Sequence, residues 1–223
     1  MSKGLLIVVS GFTGSGKGTV LQKLTEMAPE KYTRCITMTT RTMRPGEQDG
    51  IDYIFCSKEE FRRLLDQQKI LEWTCYAGNF YGTSKETINA LLKSGKNVLI
   101  ILNTEGGLYV KKEFPEAVLV FITPPSMAEL EKRRVDRGTE TEKEYKKRTE
   151  EIRKELRDMR AYDYILVNED AWACAKELDT VAAIEGKNVM AKSKLIKNLE
   201  EEYEAEMQTE KERKDKQKAK CCA

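Results

Sequence analysis

The feature that most constrains the fold is an apolar run that leads through a glycine-rich turn into a helical pattern. Residues 4–9 are continuously apolar and β-branched, which is typical of a parallel strand covered on both faces. The next segment, GFTGSGKGT at residues 11–19, lets backbone N–H groups converge on a phosphate at a helix N-terminus, where Lys17 adds positive charge. The pattern therefore predicts a phosphate-binding loop, called the P-loop below, between the first strand and the first helix.

The rest of the chain alternates between strand and helix patterns. Apolar runs at 97–102, 117–122 and 164–167 are separated by helical patterns at 85–92, 105–112, 127–137 and 171–183. Between residues 32 and 83, short alternating segments with Arg-Pro-Gly and Asp-Gly turns surround one helical pattern at 58–67. The sequence predicts an α/β fold of the P-loop NTPase type: a parallel sheet flanked by helices, with a mostly β insert. A charged helical pattern at 145–160 has so few apolar residues that we expect it to leave the core.

Composition excludes several classes of protein. The chain has no histidine, so general bases that need imidazole and zinc sites with His ligands are excluded. Its 39 basic and 37 acidic side chains leave a formal charge of +2, and we expect no nucleic-acid partner. No apolar stretch approaches the roughly 18 residues that cross a bilayer, so no membrane span is expected. The six cysteines form no CxxC pair, which favours free thiols and a cytoplasmic location.

Two local patterns narrow the kind of anion site. Gly18 stands where general P-loops place Ser or Thr, and Thr19 follows; this GKGT form is associated with small nucleoside monophosphate kinases and makes Thr19 the candidate magnesium ligand. In the insert, Arg41 and Arg44 lie three residues apart beside a turn, shortly before Tyr53. Two guanidinium groups and phenolic hydroxyls suit a dianionic phosphate, although a pair of solvated surface arginines gives the same spacing.

Six segments, in order, carry a resemblance to a known family: VSGFTGSGKGT, TTRTMRPGE, DGIDYIF, LEWTCYAGNFYGTS, RGT and YDYILVNED. Together they resemble guanylate kinases over about residues 3–186. The resemblance implies a core at 1–31 and 84–186, a GMP-binding insert at 32–83 and a helical lid at about 137–153. It also implies Mg²⁺-dependent in-line phosphoryl transfer from ATP to GMP, giving GDP, and dGDP from dGMP. This reaction needs no protein general base because the acceptor phosphate is already a nucleophile.

The same resemblance implies roles for individual side chains. The GMP phosphate would be held by Arg41, Arg44, Tyr53 and Tyr81. The guanine base would be surrounded by Thr37, Glu72, Thr83 and Asn103; one carboxylate can accept both the N1–H and N2–H₂ donors of guanine, a pair that adenine lacks. ATP would be bound by Gly11, Gly14, Ser15, Gly16, Lys17, Gly18, Thr19, Arg133, Arg137 and Asn168. The groups expected to act in catalysis are Lys17, Arg41, Arg137 and Arg148.

The chain departs from the family pattern at two positions near the base. Ile101 and Asn103 stand where carboxylates are usual, and an amide supplies no negative charge. Two alternatives therefore stay open: a protein-binding module that has lost catalysis, and a kinase with another small phosphate acceptor. Residues 187–223 lie outside the resemblance. Their apolar stripe of Ile196, Leu199, Tyr203 and Met207 leads to the hypothesis that this tail self-associates or contacts a partner.

Overall fold

The computed structural model describes residues 3–76, 78–137, 151–187, 196–204 and 208, and the chain divides into two units, Met1–Ala183 and Ile184–Ala223. The described strands of the first unit form one sheet of five strands and one of four. The strands are β1 (Leu6–Ser10), β2 (Tyr32–Arg34), β3 (Met38–Thr39), β4 (Ile54–Phe55), β5 (Ile70–Tyr76), β6 (Asn79–Ser84), β7 (Asn97–Ile101), β8 (Val118–Thr123) and β9 (Tyr164–Val167). The helices are α1 (Lys17–Met27), α2 (Lys58–Asp66), α3 (Lys85–Lys93), α4 (Thr104–Glu113), α5 (Met127–Arg137), α6 (151–158) and α7 (Ala171–Glu185), with a 3₁₀ turn at Met159–Ala161.

The five-stranded sheet is parallel throughout and has β1 at its centre, in the order β2-β7-β1-β8-β9. Alternate residues of β1 enter different cores. Ile7 and Val9 belong to the core that includes buried residues of α1 and α7, whereas Leu6 and Val8 belong to the core that includes buried residues of α3, α4 and α5. Burial on both faces explains why the strand is apolar without alternation. The predicted parallel α/β sheet is confirmed.

The four-stranded sheet, in the order β4-β3-β6-β5, is built on the antiparallel hairpin of β5 and β6. It packs on α2 through Phe61, which stacks on Phe80 with ring centroids 5.4 Å apart. Ser57 caps α2 by accepting a hydrogen bond from the backbone N–H of Glu60. Residues 32–34 were expected to open the insert, but as β2 they pair in parallel with β7 of the larger sheet.

The helix α6 differs from the expectation for its charged sequence. Ile152 on α6 and Met159 in the following turn pack against the core that contains Leu6 and Val8. The expectation that this segment leaves the core is therefore wrong for residues 151–159, because these two apolar side chains pack the segment against the core. Residues 138–150, most of the predicted lid, lie outside the described part of the chain.

In the second unit, residues 196–204 are helical, and Ile196, Leu199 and Tyr203 are exposed there. Met207, the fourth member of the predicted stripe, is not among the described residues. Across the described residues, no helix combines the length and apolar character that crossing a membrane requires. The four cysteines in the described ranges, Cys35, Cys56, Cys75 and Cys174, are free thiols.

Candidate active site

The P-loop connects the end of β1 to the start of α1, as the sequence predicted. Its shape requires glycine at two positions. Gly11 has a φ of 148°, and a β-carbon there would stand 2.0 Å from the carbonyl oxygen of Ile122. Gly16 has a φ of 87°, and a β-carbon there would stand 2.3 Å from Nδ2 of Asn168. Any larger residue would push the loop off the carboxyl end of the sheet.

Lys17 is the first residue of α1, and its side chain folds back over the P-loop. Its Nζ donates hydrogen bonds to the carbonyl oxygens of Gly11, at 2.5 Å, and Phe12, at 2.9 Å. The ammonium group is thus held over the loop at the N-terminus of a helix, where an anion is favoured. Gly18 and Thr19 follow in the first turn of α1 and are exposed. Ser15 is buried, and its hydroxyl has no hydrogen-bond partner among the described residues.

Asn168, which follows β9, supports the P-loop from behind. Its Nδ2 donates to the carbonyl oxygen of Ser15 at 2.8 Å, and the residue is 4% exposed. Arg133 on α5 donates to the carbonyl oxygen of Asn168 at 3.0 Å and pairs with Glu129 at 2.8 Å. Arg134, which sequence reasoning missed, is buried. A β-carbon added at Gly14 would lie 3.2 Å from Cγ of Arg134. Asn168 and Arg133 therefore hold the P-loop in place, and their contacts with ATP stay predictions.

A carboxylate from α6 also faces this region. Burial raises the pKa of Glu155 to about 7, although the nearby charge of Lys17 lowers it in part. Glu155 lines a small cavity with Thr13 of the P-loop and Arg134 of α5. Sequence reasoning missed Glu155 because a charged helical pattern predicts a solvated face. Glu155 and Thr13, which line the same cavity, are also more than a hundred residues apart in the chain.

The insert brings together most of the residues predicted to bind the acceptor phosphate. The guanidinium of Arg41 lies 5.3 Å from the ring centroid of Tyr53, and the rings of Tyr53 and Tyr81 are 6.0 Å apart. Arg41 also pairs with Glu47 at 2.7 Å, which raises the pKa of Arg41 and lowers that of Glu47. The second carboxylate oxygen of Glu47 accepts from the backbone N–H of Arg44 at 2.8 Å. Glu47 thus shapes the turn that presents both arginines, while the Arg44 side chain itself is exposed.

Glu72 and Thr83 form the centre of a second cluster, at the predicted base site. They face each other across β5 and β6, and the Thr83 hydroxyl donates to Oε1 of Glu72 at 2.6 Å. Burial raises the pKa of Glu72, and the hydrogen bond from Thr83 opposes part of that rise. The other oxygen, Oε2, stands 3.6 Å from where a β-carbon of Gly106 would be, near the N-terminus of α4. That helix end favours the ionised carboxylate.

Asn103, which replaces a carboxylate of the family pattern, is the N-cap of α4. Its Oδ1 accepts a hydrogen bond from the backbone N–H of Gly106 at 2.8 Å. Asn and Asp are equally good at this position of a helix, so the substitution preserves the local fold. The amide nevertheless carries no negative charge in the cleft that Asn103 lines.

Two clefts adjoin these clusters. One, of about 610 Å³, is lined by Glu72, Asn103 and Gly106 among others. The other, of about 470 Å³, is lined by Thr37, Tyr53 and Ile101 among others. Arg137 is the last residue of α5, but its side chain and the whole of Arg148 lie outside what the structure describes, so their predicted roles are untested.

Comparison with known proteins agrees with this arrangement. The sequence model of the guanylate kinase family matches residues 3–185. A guanylate kinase of Streptococcus thermophilus (strain CNRZ 1066) is 43% identical over 183 residues, covering 82% of this chain and 88% of the relative. One of Desulfitobacterium hafniense (strain Y51) is 40% identical, covering 82% of this chain and 90% of the relative. The crystal structure of guanylate kinase from Anaplasma phagocytophilum superimposes with a TM-score of 0.66 at 31% identity, covering 85% of this chain and 90% of that one. Because the family model matches most of its length and these relatives are 40–43% identical to it, the chain belongs to the guanylate kinase family.

Proposed function

We propose that the chain transfers the terminal phosphoryl group of ATP to GMP, giving ADP and GDP, and accepts dGMP in the same way. The observation that carries this proposal is the partly buried Glu72 carboxylate, which accepts a hydrogen bond from Thr83 in the same insert as the Arg41 cluster. An anion site alone fits many acceptors, but a fixed carboxylate beside it selects a base with two adjacent donors. Guanine has such a pair in N1–H and N2–H₂, and adenine does not.

The acceptor phosphate fits the cluster of Arg41, Tyr53 and Tyr81. Arg41 lies over the rings of Tyr53 and Phe55 and donates to Glu47 and to the carbonyl oxygen of Thr42, so its guanidinium is held in place. Its remaining N–H groups would donate to the phosphate. Preorganisation of this kind lowers the entropy cost of holding the acceptor in line with ATP. Arg44 would complete the site once a phosphate draws its exposed side chain inward.

The donor phosphates fit the P-loop and Lys17. The Lys17 ammonium donates to the carbonyl oxygens of Gly11 and Phe12, and these hydrogen bonds would be exchanged for bonds to phosphate oxygens when ATP binds. Arg137 and Arg148 would stabilise the charge that develops on the transferring group, as the family resemblance implies. No protein general base is required, in agreement with the absence of histidine.

Magnesium would be held at Thr19. Its hydroxyl is exposed in the first turn of α1, two residues beyond Lys17, and the described residues contain no group of three acidic side chains that could enclose a metal. This donor set fits Mg²⁺, which keeps several waters and binds mainly through phosphate oxygens. When bound with ATP, the ion would neutralise phosphate charge.

The deciding experiment measures ADP formation from ATP and Mg²⁺ with GMP, dGMP, AMP, CMP and UMP in parallel. We expect turnover with GMP and dGMP alone, and loss of turnover in Lys17→Met. The Asn103→Asp variant tests whether the missing carboxylate limits the rate. Turnover with another acceptor would refute the proposed specificity. Inactivity with every acceptor would refute the kinase function of this chain, and rescue by Asn103→Asp would identify Asn103 as the cause.

We further propose that the tail associates with a second copy through Ile196, Leu199 and Tyr203, which are exposed on one described helix. Light scattering of the full chain should give the mass of a dimer, and Leu199→Ser together with Tyr203→Ser should return it to that of a monomer. A monomeric wild-type chain would end this proposal. The expected cytoplasmic location is a separate prediction, tested by fractionation.

A further inference from the structure

Two consecutive residues of α4 are held by α6. Thr104, which is 2% exposed, donates its hydroxyl hydrogen to Oδ2 of Asp158 at 2.6 Å. The next residue, Glu105, forms an ion pair with Lys154, one helical turn before Asp158. Since Lys154 and Asp158 are four residues apart, they lie on the same face of α6. The first turn of α4 is therefore fastened to α6 at adjacent positions.

That same turn of α4 forms a wall of the proposed guanine pocket. Asn103 caps it through the backbone N–H of Gly106, and a β-carbon at Gly106 would lie 3.1 Å from Oδ1 of Asn103 and 3.6 Å from Oε2 of Glu72. The two polar groups of the pocket thus meet across a single glycine. A small displacement of the turn changes the spacing between the Asn103 amide and the Glu72 carboxylate.

The chain just after α6 reaches the same turn from the side of β1. The hydroxyl of Tyr162 donates to Oγ of Ser10 at 2.6 Å, in a fully buried contact. The Ser10 hydroxyl in turn lies 3.4 Å from the carbonyl oxygen of Asn103, to which it donates. Asn103 is thus tied through its carbonyl to β1, while the residue after it is tied to α6. The Thr104–Asp158 hydrogen bond, at 2.6 Å, is shorter than the Ser10–Asn103 contact and joins α4 to α6 in a single step.

We propose that Thr104 and Asp158 are a positioning pair: their hydrogen bond sets the first turn of α4 against Glu72 and thereby sets the preference for the 2-amino group of the purine. Neither side chain needs to touch the nucleotide. The pair acts through Asn103 and Gly106, which line the cleft with Glu72. This inference rests on the proposed function, since it assumes that guanine occupies that cleft.

The test compares Thr104→Val, which removes the hydroxyl at nearly constant volume, with Thr104→Ser, which keeps it. The ligands are GMP and inosine monophosphate, which has the N1–H donor but lacks the 2-amino group. Calorimetry gives the dissociation constant of each, and steady-state kinetics with ATP gives kcat and KM. We expect Thr104→Val to raise the Kd and KM for GMP about three- to tenfold, which is less than complete loss of a hydrogen bond to the Glu72 carboxylate would cost, because that contact is displaced and not removed. The change for inosine monophosphate and in kcat should be much smaller. Thr104→Ser should restore the wild-type preference.

Thr180→Val is the control, because Thr180 is exposed on α7 and its hydroxyl donates to the carbonyl oxygen of Lys176, away from α4 and α6. Circular dichroism melts show whether each variant is folded under the assay conditions. Equal weakening of both nucleotides by Thr104→Val, or an unchanged ratio between them, would overturn the inference and leave the pair a purely structural role. If Thr104→Val does not fold, Asp158→Ala in the same assay takes its place, with the same outcomes. Failure of the wild-type chain to bind GMP would instead refute the proposed function.

Discussion

Replacing Glu72 by glutamine is the sharpest test of base recognition. The Glu72 side chain is partly buried; one carboxylate oxygen accepts a hydrogen bond from Thr83 and the other lies close to Gly106. The substitution removes the negative charge and turns an NH₂ donor towards the two donors of guanine. The two hydrogen bonds from guanine to the carboxylate are lost, and each contributes about 1.5–3 kcal/mol. The free energy of the transition state should therefore rise by about 3–6 kcal/mol. This corresponds to a fall in kcat/KM for GMP of roughly 10²- to 10⁴-fold.

The assay is a coupled measurement of ADP formation over a range of GMP concentrations at saturating ATP. Glu86→Gln is the control, because Glu86 is an exposed carboxylate in the first turn of the neighbouring helix α3. We expect the control to retain wild-type kinetics. A loss of less than tenfold in Glu72→Gln would mean that the carboxylate does not accept hydrogen bonds from the base, and the reasoning would fail.

The same variant should lose activity but gain thermal stability relative to the wild type as the pH rises. Burial raises the pKa of Glu72, so the folded chain holds this proton to a higher pH than the unfolded chain does. The stability it contributes is therefore complete at acid pH and is lost as the pH rises through the raised pKa. Glutamine cannot ionise, so the Tm of Glu72→Gln relative to wild type should increase between pH 4.5 and pH 8. A constant difference over that interval would contradict the pKa argument.

Three further predictions concern the P-loop and its supports. Ionisation of Glu155 should lower the Tm of the wild-type chain as the pH rises from about 4.5 through its pKa of about 7, and Glu155→Gln should remove this fall. The same dependence of Tm on pH in both proteins would contradict this. Gly16→Ala should raise the KM for ATP at least tenfold and lower stability by about 1–3 kcal/mol, because the β-carbon would collide with Asn168. Gly18→Ala, where a β-carbon would meet nothing within 4 Å, is the control for the loss of stability. Tyr162→Phe should cost about 1–2 kcal/mol in urea denaturation by leaving Ser10 without its donor, and an unchanged midpoint would refute it.

The sequence was sufficient to predict the elements whose signals are local. The first strand, the P-loop and α1 follow from a buried apolar run, spaced glycines and a lysine. The bounds of α5 and β9 agree with the prediction to the residue. In each case a short stretch of chain carries the whole physical reason for the structure. Glu72 and Thr83 were assigned to the base site through the family resemblance, and their hydrogen bond across one hairpin came from the structure.

What the sequence did not predict depends on contacts between distant residues. The three residues of β2 are too few to show a period, and only their pairing with β7 assigns them to the larger sheet. The helix α6 has mostly charged residues, so its buried Glu155 and its contact with Thr104 could not be inferred from hydropathy. Glu47 was visible beside two arginines, but its role in holding Arg41 requires the geometry of the turn.

The strand order has a consequence for how acceptor choice can change. The P-loop leaves the end of β1, and Asn103 leaves the end of β7, its immediate neighbour in the sheet. Adjacent strands are about 4.8 Å apart, so the sheet itself fixes the distance between the P-loop, which binds the phosphoryl donor, and Asn103 in the acceptor pocket. The insert between β2 and α3 carries the Arg41 and Glu72 clusters but no residue of the P-loop. Exchange of that one insert would therefore replace the Arg41 and Glu72 contacts with the acceptor, while the P-loop and the wall formed by Asn103 keep their positions in the sheet.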